Sequence, residues 1–338
     1  MLRKTLSTHS QNSQYTLSNM SNIRFPYWPL LLLFLAGCRP DVTEFEPYEA
    51  STSAMSEALA KKIPSALAHQ SFTFNNLSSD ILLETPNGTR VFFSDTDQLF
   101  ANASTGSPVL CSTCADLNVA VTEVFDNSDI IARGLSTVAK NGVIFENGGI
   151  LLITVSCNGQ ALSILPNRTI KVQMPNVETY PDFLVYERDQ AVENDTRWTT
   201  SSQAVFEAEW PLPNGGIRNG YEVLVKKLGW IAAGRPFSDA TSYFCTTLPT
   251  GFGGQNTLAY LVFKNKQAVA PLAFDLGQNR FCHSKAPAGH LIQVVSVSKL
   301  GNDYWLGSAQ TEIGTNQVFP LDSQMASEEA VFNFLKSL

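Results

Sequence analysis

"ILLITVSCNGQALSILP", residues 150–166, holds two apolar runs joined by Asn158-Gly159. Both central residues of a type I′ hairpin turn need positive φ, and Asn-Gly supplies this at the least steric cost. The dipeptide between alternating runs therefore marks two antiparallel strands. "DILLETPNGTRVFFS", residues 80–94, reads the same way, and further Asn-Gly pairs stand at 141–142, 147–148, 214–215 and 219–220. Around them the apolar residues keep a period of two. Ile170, Val172 and Met174 alternate with Thr169, Lys171 and Gln173, and Leu117, Val119 and Val121 do likewise, as half-buried strands require. Short strands separated by turns, with no helical crossovers, predict a mainly β chain of two or three antiparallel β-sandwich modules in tandem. The expected modules span 72–175, 176–240 and 241–338, with "NVETYP" linking the first two. A short helix is expected over Ser53–Lys62, stopped by Pro64. The chain closes on a second helix, with Ser327 as its cap, Glu328 and Glu329 in its first turn, and Val331, Phe334, Leu335 and Leu338 as its apolar stripe.

Ahead of the strands, "PLLLLFLAGCRPDVTEFEP" (Pro29–Pro47) is a different kind of segment. Its apolar run, Phe25 to Gly37, is shorter than the roughly 17–25 residues that a bilayer-crossing helix needs. Arg3, Lys4 and Arg24 precede it and Leu35-Ala36-Gly37-Cys38 ends it, the layout of a secretory signal. These last four residues resemble the lipobox of bacterial lipoproteins. The resemblance implies that residues 1–37 are removed as a signal peptide, with 1–19 dispensable if synthesis starts at Met20. It also implies that Cys38 becomes the first mature residue and carries diacylglycerol and acyl chains. The competing reading is an ordinary cleaved signal with a chance Cys. The polar, acidic stretch after Cys38 suits a tether, so residues 38–71 are read as a lipidated leash that includes the short helix. Arg39, where an Asp would favour inner-membrane retention, points to the outer membrane. Whether the protein faces the periplasm or the medium stays open, with Asp41, Glu44 and Glu46 hinting at surface export.

The composition is 44% apolar and only 16% charged, with a net charge of −7, which leaves ample core and argues against a nucleic-acid partner. "STVAKNGVIFENGGILLITVSCNGQALSILPNRTIKVQMP" (Ser136–Pro175), followed by "KLGWI" (Lys227–Ile231), resembles a β-rich module of cell-envelope lipoproteins of Bacteroidota. In that group Gly-Trp-Ile is commonly followed by a polar residue, an Asp-Arg pair and an aromatic. This chain has "AAGRPF" instead (Ala232–Phe237), so no role of that Asp carries over. The resemblance implies an envelope scaffold rather than a chemistry.

Setting Cys38 aside leaves five cysteines: Cys111, Cys114, Cys157, Cys245 and Cys282. An exported chain meets an oxidising compartment, so disulfides are expected. Cys245 and Cys282 are the favoured pair. Cys111 and Cys114 form a C-x-x-C read as a local or Cys157-linked disulfide, ahead of a zinc half-site or a redox thiol. Five is odd, and Cys157, in an apolar strand, is a candidate to stay reduced in the core.

The candidate chemistry is sparse. No G-x-S-x-G, H-E-x-x-H or Walker loop occurs. Cys282 and His283 are strand neighbours and point apart. "GFGGQN" (Gly251–Asn256) reads as a loop without a phosphate-binding Lys. Glu207 and Glu209 share one strand face at about 6.6 Å by strand rise, near an inverting glycosidase pair. A solvated face, with Phe206, Ala208 and Trp210 toward a core, explains them completely, and is preferred over the glycosidase pair. Asp95 and Asp97 in "SDTDQ" offer oxygens for calcium, but Asp-rich turns are ordinary. Trp198, in the polar "NDTRWTTSS", is the aromatic expected to be exposed and the candidate binding residue. The expected function is a non-catalytic envelope lipoprotein: a β-sandwich scaffold bound to the membrane by its lipid, needing no cofactor or metal, and presenting itself to a protein partner or outer-membrane complex. A carbohydrate-binding surface lipoprotein is the alternative, and an enzyme the least supported reading.

Overall fold

The computed structural model describes residues 51–64, 68–188, 197–212 and 215–338. The expected signal sequence, Cys38, the expected tether through residue 50 and the Asn214 turn position lie outside the described residues. Asn158 (φ 50°) and Gly159 (φ 79°) both take left-handed backbone and join the strands Phe145–Cys157 and Gln160–Ile164. At 87–88 and 141–142 only the glycine has positive φ. Two other Asn-Gly pairs are not turns. Gly148 lies within Phe145–Cys157 and Gly220 within Ile217–Val225. A Cβ at Gly148 would meet the rings of Phe183 and Tyr221, and one at Gly220 would collide with the Met174 carbonyl and the Trp210 ring. These two glycines make room for packing rather than for a turn.

Among the described residues the strands form four sheets. In sheet I, Phe145–Cys157 pairs with Gly229–Pro236 on one side and Leu117–Val124 on the other, and Leu184–Arg188 and His69–Phe74 extend it outward. Sheet II runs Val205–Pro211, Ile217–Val225, Ile170–Pro175, Arg90–Phe93, Ile81–Glu84. Sheet III contains Ala273–Asp275, Arg280–Pro287, Thr241–Thr247 and Gln317–Pro320, and sheet IV is built around Thr257–Phe263, Leu291–Leu300 and Asp303–Glu312. Neighbours within the sheets are antiparallel, as expected, with one departure: Gln317–Pro320 runs parallel to Thr241–Thr247. That strand arrives from sheet IV by crossing between layers, so no hairpin dictates its direction.

Side-chain parity stacks the layers. Leu151, Ile153 and Val155 of sheet I meet Val91, Val172 and Val223 of sheet II in one core. The opposite parity, Ile150, Tyr186 and Ala232, faces a second core, shared with three helices and with Val262, Val295 and Val297 of sheet IV. The other face of sheet IV, with Leu261 and Val294, packs on Phe244 and Phe281 of sheet III. Leu291–Leu300 is therefore buried on both faces, and the described residues belong to one compact unit.

The helices are α1, Ser51–Lys62; α2, Asn127–Ala132; and α3, Glu328–Lys336. α1 and α3 stand where the sequence places them, and α2 had no sequence signal. Met55 and Leu59 of α1 and Val331 and Leu335 of α3 are buried in the second core. Ser327 Oγ accepts the Ala330 N–H at 3.2 Å, the expected N-cap.

The expected division at 175/176 does not separate two modules. Ile170–Pro175 pairs with Ile217–Val225, and Phe145–Cys157 pairs with Gly229–Pro236, so residues from both sides of that division share both sheets of one sandwich. Local alternation reports strands but not partners, and "NVETYP" is a connection between sheets rather than a linker between domains. Strands up to Gly229–Pro236 belong to sheets I and II, and strands from Thr241–Thr247 onward to sheets III and IV.

Candidate functional site

Trp198 is fully buried, not exposed. Its indole N–H donates to the Ser136 carbonyl at 2.6 Å, and its ring meets Phe145 edge-on at 6.3 Å. Its neighbours Arg197, Thr199 and Thr200 are exposed while the one large apolar side chain anchors the segment, so it offers no platform to a ligand. Phe206 is also reversed relative to expectation: it is exposed, as are Glu207 and Glu209, while Trp210 is buried.

The cysteines resolve into Cys245–Cys282, a directly opposed pair on neighbouring strands, and Cys114–Cys157. Cys111 carries the unpaired thiol, buried, rather than Cys157. Cys157 ends a strand opposite Leu117, which sets it beside Cys114. Burial and the nearby Asp97 charge push the Cys111 thiol up to about 11, the reverse of a reactive redox cysteine. Asp97 is occupied by the Ser112 N–H at 2.7 Å, and Asp95 lies 3.8 Å from Arg168. Among the described residues no group of three or more His, Cys, Asp or Glu is placed to hold a metal.

Where the loop 176–183 meets the ends of sheets I, II and IV, three hollows adjoin, and no sequence motif marked them. The first, about 490 Å³, is lined by Pro175, Val177, Leu212 and Ile217 together with Asn219 and Arg218. Val177 is 90% exposed and Ile217 70%. The loop carrying Val177 is pinned from both ends. The Asn176 amide donates to the Gly148 carbonyl at 3.2 Å, and the Tyr221 hydroxyl accepts the Tyr180 N–H at 2.9 Å. Burial raises the Tyr221 phenol to about 12, so it stays protonated. Arg218 is fixed by donating to the Asn87 carbonyl at 2.9 Å.

The second hollow, about 470 Å³, shares Asn176, Val177 and Gln267 with the first. The third, about 240 Å³, shares Glu146 and Lys266 with the second. Between these two, Glu146 accepts from Arg235 at 2.6 Å and from Lys266 at 3.0 Å, and the Arg235 guanidinium lies 4.1 Å from the centre of the Tyr180 ring. His290 and Asp239 are 2.8 Å apart in the third hollow, a contact that holds the Asp239 carboxyl below its usual range. Amides, paired charges and projecting apolar side chains give the seam both hydrogen-bonding groups and apolar area. No protein-family model matches the chain, and no curated protein matches it significantly.

Proposed function

We propose that the protein is a non-catalytic lipoprotein of the cell envelope, anchored in the outer membrane by the acyl chains on Cys38, and that it binds a partner protein at the Val177–Ile217 hollow. The observation that carries this reading is that two projecting apolar side chains line one hollow: Val177, 90% exposed on a hydrogen-bonded loop, and Ile217, 70% exposed at the start of a strand. A surface that keeps apolar side chains in water on a fixed backbone is preorganised to bury them against another molecule. Asn87, Asn219 and Arg218 at its edge suit the peptide groups of an extended partner segment, with an apolar residue of that segment seated between Val177 and Ile217.

The test is purification of the full chain from membranes in mild detergent, with stoichiometric partners identified by mass spectrometry, beside a Val177→Asp/Ile217→Asp variant. A partner present with the native chain and lost from the variant is expected. No stoichiometric partner, or one retained equally by the variant, overturns the reading. The anchor is tested separately, because a Cys38→Ser chain should lose incorporated fatty acid and leave the membrane fraction.

A further inference from the structure

Residues 39–50 separate Cys38 from Ser51, and even fully extended they span no more than about 45 Å. The proposed anchor therefore ties one particular end of the fold to the bilayer. The Thr52 N–H donates to the Gln255 carbonyl at 3.4 Å, in the loop between Thr241–Thr247 and Thr257–Phe263. The turn after Ala273–Asp275 lies at the same end, because Asp275 is opposite Arg280 and Phe281 is opposite Thr246. So does the turn 300–303, because Thr257 is opposite Ser298. At the other end of Thr257–Phe263, Lys264 and Gln267 line the second hollow with Val177. The entry of the chain and the partner-docking loop thus stand at opposite ends of sheet IV.

Three apolar side chains project where the chain enters. Leu276 is 84% exposed, Met325 61% and Leu300 36%. Partly covered rings join them into one ridge. Gly254 lies so close to Phe274, two residues before Leu276, that a Cβ there would meet its ring at 2.9 Å. Phe252, from the same loop, meets Trp305 at 5.6 Å, and Trp305 is directly opposite both Ser298 and Met325. Strand alternation sets Leu300 on the face of Ser298. Charge is balanced here: Arg280 lies 3.6 Å from Asp275, Lys62 lies 3.0 Å from Glu328, and Lys299 shares a hollow with Asp303. An apolar ridge without surplus cations suits insertion among lipid chains rather than attraction to anionic headgroups. We infer that this end rests on the bilayer, with Leu276, Met325 and Leu300 sunk into its surface and the Val177–Ile217 hollow turned away toward the partner. The inference rests on the Cys38 anchor of the proposed function.

The test places the lipid-bearing full chain in phosphatidylcholine vesicles, with an environment-sensitive fluorophore on Leu276→Cys, on Met325→Cys or, for comparison, on Asn265→Cys at the far end. All three positions are exposed, and matching thermal melts show that the labelled chains are folded. With a nitroxide carried high on the lipid acyl chain, quenching at 276 and 325 is expected to be at least about twofold, with none at 265. The same quenching is expected with phosphatidylglycerol present and at high salt. A chain that floats with the vesicles but shows no quenching at 276 and 325 overturns the inference and leaves the anchor standing. Equal quenching at 265 also overturns it, as does quenching that needs anionic lipid, or shielding of the 276 and 325 probes by a co-purified protein instead of lipid. A native chain that does not float removes the anchor, and the inference falls with it.

Discussion

Cys111 shows how a single buried side chain sets a pH response. Its thiol is raised from 9.0 to about 11, first by burial and then by Asp97. Between those values the unfolded chain has released its proton while the folded chain still holds it. Stability therefore falls as pH rises across that window. A Cys111→Ala chain should lose this part of the decline, read as a smaller drop in urea midpoint between pH 9 and 11. In a Cys38→Ser chain kept oxidised, a thiol reagent at pH 8 should find no reactive group until urea exposes Cys111; rapid native labelling would show that the thiol is not sealed. Trp198 shows why residues of this kind resist reading from sequence. Neighbouring polarity describes the backbone's surroundings, whereas the side chain's fate depends on Ser136 and Phe145, more than fifty positions away.

At the scale of elements, the two disulfides clamp strands that are distant in sequence, with separations of 43 residues for Cys114–Cys157 and 37 for Cys245–Cys282. In the chain-entropy model each closure stabilises by about 4 kcal/mol. A Cys245→Ser/Cys282→Ser chain is expected to lose an amount of that order in urea denaturation, and a change below about 1 kcal/mol would mean that the ladder alone holds those strands in register. Much at this scale was legible in the sequence: the Asn158-Gly159 hairpin, the alternation of Ile170 to Met174, α1, the Ser327 cap and the Cys245–Cys282 pair. What was not legible is partnership. Asn147-Gly148 and Asn219-Gly220 look like turns because a turn and a close approach between strands both demand the smallest residue, and only the identity of the neighbour, Phe183 or Met174, separates the two cases. The hollows beside the 176–183 loop escaped for the same reason, since Val177, Ile217 and Asn147 come from separate elements and carry no shared motif.

For the whole molecule, shared strands and the double-faced sheet IV join what the sequence divides into modules. A fragment ending at residue 175 lacks Ile217–Val225 and Gly229–Pro236, the inner partners of its own strands Ile170–Pro175 and Phe145–Cys157. It is expected to remain unfolded, with no near-ultraviolet circular dichroism and rapid proteolysis, while the full chain melts in one transition. Two separated transitions would contradict the continuity of the second core. The place of Gly229–Pro236 also has a meaning in time. It fills the gap between Phe145–Cys157 and Leu184–Arg188, yet it is made after both. As the chain is synthesised, the middle of sheet I is the last of these three strands to arrive, and until then each flanking strand shows an unpaired edge to its surroundings. Such edges invite pairing with other chains, and long-range closure of this kind is slow. Until residue 236 has emerged, sheet I is therefore open at its centre rather than at its rim, and the last of the three strands closes it from within.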